Sequence, residues 1–200
     1  MLKLIYAAQR NPNLSPSDFI RRWRQHGAFT MSLPNWKHAL TYVQALPLAD
    51  TKPEPIDAIA IYCAQDSLFN DQSPQGQKVI DAIREDEQAT FATPIPEVAL
   101  WVEETELIPG PFGGFAVYAF FDAVESARTA LNDLDTSQLS RLTLNTRANV
   151  LPSGRSDQAV IEIASTNRQR LTEIATAMVP DATLVVLTQE APFWDMRTLA

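Results

Sequence analysis

The chain has little of what usually marks an extracellular, metal-binding or nucleic-acid-binding protein. A single cysteine, Cys63, excludes an internal disulfide, and its place in an apolar, strand-like run reads as a buried structural thiol. The only two histidines, His26 and His38, are too few and too far apart to give recognisable ligand spacing, so no metal is expected. Glycine is scarce at six residues, and its one cluster, GPFGG at Gly110–Gly114, has neither phosphate-loop spacing nor a lysine to follow. No serine sits in a nucleophile elbow. Basic excess is absent as well: 16 Lys and Arg against 24 Asp and Glu leave a net charge of −8, which excludes nucleic acid and anionic membrane surfaces as partners. No apolar run reaches the length of a membrane span, and the N-terminus lacks the apolar stretch of a signal peptide. A soluble, cytoplasmic protein is expected.

What is present is apolar side chain in quantity. With 46% hydrophobic and 20% charged residues the chain is globular and has material for a substantial core. Its most informative stretch is Ser15–Gln44, which holds both histidines and two of the four tryptophans. Ser15 suits an N-cap, Pro16 the first helical position and Asp18 the positive end of the dipole. Phe19, Trp23 and His26 follow at i, i+4 and i+7 on one face, opposite Arg21, Arg22, Arg24 and Gln25, and Gly27 reads as the stop. The helix thus places an imidazole beside an indole at the edge of an apolar region.

The flanking elements alternate in a recognisable order. Strands are predicted at Met1–Ala8, His38–Leu46, Ile56–Ala64 and Val98–Glu104, with a second amphipathic helix at Gly76–Phe91. In that helix Val79, Ile80 and Ile83 are assigned to the core and Asp81, Arg84, Glu85 and Asp86 to water. The order β-α-β-β-α-β is the ferredoxin-like split unit. After a linker at Leu107–Gly114 it repeats, opening on a strand at Phe115–Phe121, with a helix capped by Asp122, and closing on a strand at Ala182–Thr188. Residue patterns match between the halves: Leu4–Ala8 answers Ala116–Phe120 with Tyr6 over Tyr118, and Asp57–Ile61 answers Asp157–Ile161. The expected fold is α+β, with ferredoxin-like repeats over residues 1–109 and 110–200 packed sheet to sheet as an intrachain dimeric α+β barrel. Residues 1–109 carry the candidate cleft; residues 110–200 serve as scaffold. A monomer acting as a pseudo-dimer and a homodimer are both compatible with this reading.

Leu14-Ser15-Pro16, Phe19, Trp23, a histidine close behind it, and Tyr42-Val43-Gln44 on the next strand resemble the EthD-like branch of the dimeric α+β barrel superfamily. The matching motif covers about the first quarter of the chain. His26 follows Trp23 by three residues, where the family pattern commonly has a full turn; both spacings keep the rings on neighbouring sides of a helix. The resemblance implies a cleft between sheet and helix and action on a small hydrophobic or aromatic molecule. It implies no single reaction.

The chemistry-bearing candidates are few. His26 suits a general base or acid, since an imidazole titrates at about 6.5, or else caps a helix end. Tyr6 and Tyr42 are expected to point into the barrel, where a phenol suits the holding of a substrate oxygen, or else are core residues with one satisfied hydroxyl. Trp23 and Trp101 are candidate pocket walls, Arg10 a candidate carboxylate or enolate contact, and His38 a further contact at a strand start. No cofactor is expected. A lyase, isomerase or oxygenase working by His-assisted proton transfer is the first reading. A non-catalytic carrier is the second, and a haem-binding barrel the third.

Overall fold

In the computed structural model, residues 2–49, 55–65, 73–149 and 151–196 are described. They form eight strands: β1 (Leu2–Ala8), β2 (Ala39–Pro47), β3 (Ala58–Ala64), β4 (Ala99–Ile108), β5 (Gly114–Phe121), β6 (Arg141–Arg147), β7 (Ala159–Ser165) and β8 (Leu184–Asp195). Five α-helices accompany them among the described residues: α1 (Pro16–Met31), α2 (Pro74–Thr90), α3 (Ile95–Val98), α4 (Val124–Asn132) and α5 (Arg168–Met178), with a 3-10 turn at Pro34–His38. None of these helices is long and apolar enough to cross a membrane.

The strands form one closed antiparallel barrel in the order β1-β3-β2-β8-β5-β7-β6-β4. This corrects the expectation of two ferredoxin-like repeats packed sheet to sheet. The halves do not stack as separate sheets; they join edge to edge, β2 to β8 and β4 to β6, in one continuous sheet. Stacked sheets would leave four edge strands with unpaired amides and carbonyls, and closure removes every edge. Three of the four joining strands are the longest in the barrel, β8 with 12 residues, β4 with 10 and β2 with 9, while β6 has 7.

Much of β8 beyond Thr188 was outside the expected strand because Pro192 interrupts its pattern. That stretch closes the barrel. Thr41 to Pro47 pair with Asp195 back to Thr188, and the register shifts at Tyr42/Val43, opposite Trp194 and Pro192. A bulge is where a strand tolerates proline.

The core has three parts. Ile5, Val43, Ile59, Ile61, Leu100 and Phe120 fill the barrel interior, one helical layer covers the outer face of β1–β4, and a second covers that of β5–β8. Two residue registers between the halves fail here by one position. Tyr6 and Tyr42, expected inside the barrel, face the helices, whereas Tyr118 faces the barrel interior; Ile59 points inward whereas Ala159 points outward. A slip of one residue moves a side chain to the other face of a sheet. The interior also carries charge: Lys3, Arg141, Glu162 and Glu190 are all buried there.

Candidate active site

Helix α1 starts as its sequence dictates. Ser15 Oγ accepts from Asp18 N at 3.1 Å, and Pro16 opens the first turn. It does not stop at Gly27 but continues to Met31, where Ser32 N–H closes on Phe29 and Thr30 carbonyls. Gly27 has a different reason to be glycine. A Cβ there would lie 3.0 Å from Gln44 Nε2 and 3.1 Å from Tyr42 Cε1, so its absence lets the helix approach β2 closely.

That approach assembles a polar cluster inside an aromatic layer. Trp23 Nε1–H donates to Tyr6 Oη at 3.1 Å. Gln44 Nε2–H donates to Trp23 O and to Tyr42 Oη, both at 2.9 Å. The two phenols are close enough to perturb each other's ionisation. Burial dominates both, pushing Tyr42 up to about 12 and Tyr6 well above the ordinary phenol range. Each is therefore a neutral hydrogen-bonding group near pH 7 and not a base. Gln44 Oε1 is buried and unpartnered. Around Tyr42 stand Trp36 and Phe193, each with ring centres 5.7 Å away, and Tyr62 at 6.4 Å.

His26 lies one step away, at the seam of α1 and α2. Its Nδ1 is 2.6 Å from Asp86 Oδ2, and Arg22 Nη2 reaches Asp86 Oδ1 at 2.5 Å. Burial lowers the imidazole pKa, assisted by Arg22, and outweighs the upward pull of Asp86. Burial would raise the Asp86 carboxyl, but the bonds from Arg22 and His26 hold it below its ordinary value. The resulting state is a carboxylate facing a neutral imidazole. A carboxylate only accepts, so Nδ1 carries the proton and Nε2 keeps a lone pair. Phe91 packs edge-on against both His26 at 5.6 Å and Tyr6 at 5.8 Å.

Glu87 adds a second group poised near neutrality. Burial pushes its carboxyl up to about 7 against the stabilising backbone bond from Ile95, and its charge is felt by both Tyr6 and Tyr42.

The structure thus brings Tyr6, Trp23 and Tyr42 together, with His26 adjoining. The other candidates lie elsewhere. Arg10 is held by Asp57, with Nη1 2.6 Å from Oδ1, and its Nε bonds Leu14 O, which pins the turn before α1. Trp101 is half-buried on the outer face of β4, its backbone tied to Ser153 and Ala148. His38 ends the 3-10 turn, and its carbonyl accepts from Gln65 N. The residues missed are Asp86, Glu87, Phe91, Trp36 and Phe193. Asp86 was assigned to water because its neighbours on α2 are charged, and its partner belongs to another helix. Ile80, assigned to the core, is 38% exposed. Gln44 had a visible signal, since it shares a strand face with Tyr42 two residues earlier.

No family model matches the sequence, and no curated protein matches it. Solved structures do match in shape. A variant of chlorite dismutase from Candidatus Nitrospira defluvii has a TM-score of 0.56 at 10% identity, over 96% of this chain and 91% of its own. An anthrone oxidase-like protein has a TM-score of 0.52 at 6% identity, over 98% and 93%. A Fusobacterium nucleatum protein provisionally named a monooxygenase has 0.50 at 10%, over 96% and 91%. At such identities the likeness establishes the fold alone.

Proposed function

We propose that the chain is an EthD-like small-molecule enzyme of the oxygenase, lyase or isomerase type, acting without a cofactor on a small hydrophobic or aromatic substrate. The observation that carries this reading is the His26–Asp86 contact of 2.6 Å. A buried neutral imidazole with Nδ1–H fixed on a carboxylate is oriented to take a proton at Nε2, and the imidazolium that forms gains the carboxylate's charge. A hydroxyl of the Tyr6–Tyr42 pair supplies the donor for an oxyanion that develops on the substrate. Glu87 serves as the second proton carrier. The EthD-like assignment is supported by the meeting of its motif residues, since Gln44 of the second strand bonds the Trp23 carbonyl of the helix. The names of the fold neighbours, a monooxygenase and an anthrone oxidase-like protein among them, support an oxygenase over the other types.

A panel of small phenols and enols, followed by oxygen uptake and product formation with the wild type and His26→Ala, tests this function. Turnover by the wild type that the variant lacks supports it; equal turnover in both removes His26 from the chemistry. A carrier is the second reading. It is favoured by the placement of Phe91 against both His26 and Tyr6, which lets the tyrosine cluster hold a ligand without the histidine. On that reading Tyr42→Phe weakens ligand binding strongly and His26→Ala hardly at all.

A further inference from the structure

Across the barrel interior runs a chain of buried charges that the proposed chemistry does not use. Lys3 Nζ bonds Glu104 and lies 2.5 Å from Glu162 Oε1. Asn145 Nδ2 donates to the same Glu162 Oε1 at 2.8 Å. Arg141 Nη2 is 3.8 Å from Glu162 Oε2 and 2.5 Å from Glu190 Oε1, which also accepts from the Tyr118 hydroxyl. Lys3, Arg141, Asn145 and Glu162 are each at most 1% exposed.

Three buried polar atoms of these interior side chains have no hydrogen-bond partner: Arg141 Nε, Asn145 Oδ1 and Glu162 Oε2. All three belong to side chains gathered around the Glu162 carboxylate. The amide orientation of Asn145 is fixed, because its Nδ2 faces two acceptors, Glu162 Oε1 and Val160 O, and a flipped amide would set oxygen against oxygen. The unmet needs are therefore one donor and two acceptors. A guest that satisfies them accepts one hydrogen bond and donates two, which is the valence of a water molecule engaged three times. A metal cation does not fit, since it cannot accept from Arg141 Nε and would face the charges of Arg141 and Lys3.

We propose that the barrel interior binds one structural water, donating to Glu162 Oε2 and Asn145 Oδ1 and accepting from Arg141 Nε. This water links the Lys3–Glu104 end of the chain to the Glu190–Tyr118 end, joining β1 and β4 to β5 and β8 by a continuous hydrogen-bonded path. It lies inside the barrel, apart from the site against α1 and α2.

Oxygen-17 relaxation dispersion of the whole protein counts waters with long residence times, and Asn145→Leu removes the Oδ1 acceptor, together with the Nδ2 donor to Glu162 and Val160, at nearly unchanged volume. The wild type is expected to hold one more such water than the variant. Equal counts overturn the proposal. Because Asn145→Leu can fail to fold, a crystal structure of the wild type resolving ordered water gives an independent decision. Density within hydrogen-bond distance of all three atoms supports the site, and its absence there, or closure of the three atoms onto protein partners, overturns it.

Discussion

Asp86 Oδ2 stands 2.6 Å from His26 Nδ1, so the one histidine of the aromatic layer is held by a carboxylate from a different helix. The pair fixes which imidazole nitrogen carries the proton. It also joins α1 to α2 at the edge of the candidate site. Nitrogen-15 shifts of His26 at pH 7 should report the Nδ1–H tautomer in the wild type, and a mixture of tautomers in Asp86→Asn. An Nε2–H tautomer in the wild type would reverse the proposed direction of proton transfer.

The lowered pKa of His26 has a consequence for stability. The folded value lies below the ordinary 6.5, so between the two the unfolded chain binds more protons. The contribution is present above pH 6.5 and is lost as pH falls through the folded value. Asp86 pulls that value up, so Asp86→Asn should lower it further. Histidine titration followed by NMR in both proteins checks the order; a higher value in the variant would contradict it.

Gly27→Ala should destabilise the fold by about 1 kcal/mol. Overpacking costs roughly 1–3 kcal/mol, and the gain in helix propensity returns up to about 1 kcal/mol. The loss wins because Gln44 Nε2, 3.0 Å from the new Cβ, is pinned by bonds to Trp23 O and Tyr42 Oη and cannot yield freely. Urea unfolding measures the difference, and a more stable variant would show that β2 yields to the helix.

Glu162 and Lys3 give stability limits at both ends of the pH scale. Burial opposes the charge on Glu162, yet Lys3 and Arg141 hold its carboxyl below the ordinary 4.5. Burial opposes the charge on Lys3 too, and Glu162 with Glu104 raises it above 10.5. The carboxylate's contribution is thus present above pH 4.5 and lost as pH falls through its folded value; that of the ammonium is present below pH 10.5 and lost as pH rises through its own. Glu162→Gln should cost about 3–5 kcal/mol at pH 7, because it leaves buried cations short of a partner, and should flatten the acid limb of the stability profile. An unchanged acid limb would place the acid sensitivity elsewhere.

The start of α1 and most strand positions were legible because each follows from local pattern, a cap or a period of two; which face Tyr6 and Tyr42 present was not, since both turn toward the helices and Trp23 and away from the barrel interior. Barrel closure was not, because it depends on Gln189–Asp195 pairing with β2 across about 150 residues of sequence, through a segment whose Pro192 hides the strand. Asp86 was hidden for the same kind of reason. Its charged neighbours on α2 say solvent, and only the packing of α1 on α2 turns it toward His26. Glu162 interrupts the apolar run of β7, a signal that stayed unread because Lys3 and Arg141, which neutralise it, come from distant strands.

The central claim is that His26, oriented by Asp86, moves the proton. The pH dependence of kcat/KM for any substrate found in the panel tests it most directly. The wild type should rise through one ionisation below pH 6.5, with Glu87 adding a second at about 7, and in Asp86→Asn the lower midpoint should move lower still while the maximum drops. A limb that stays in place when Asp86 is changed would show that another group carries the proton.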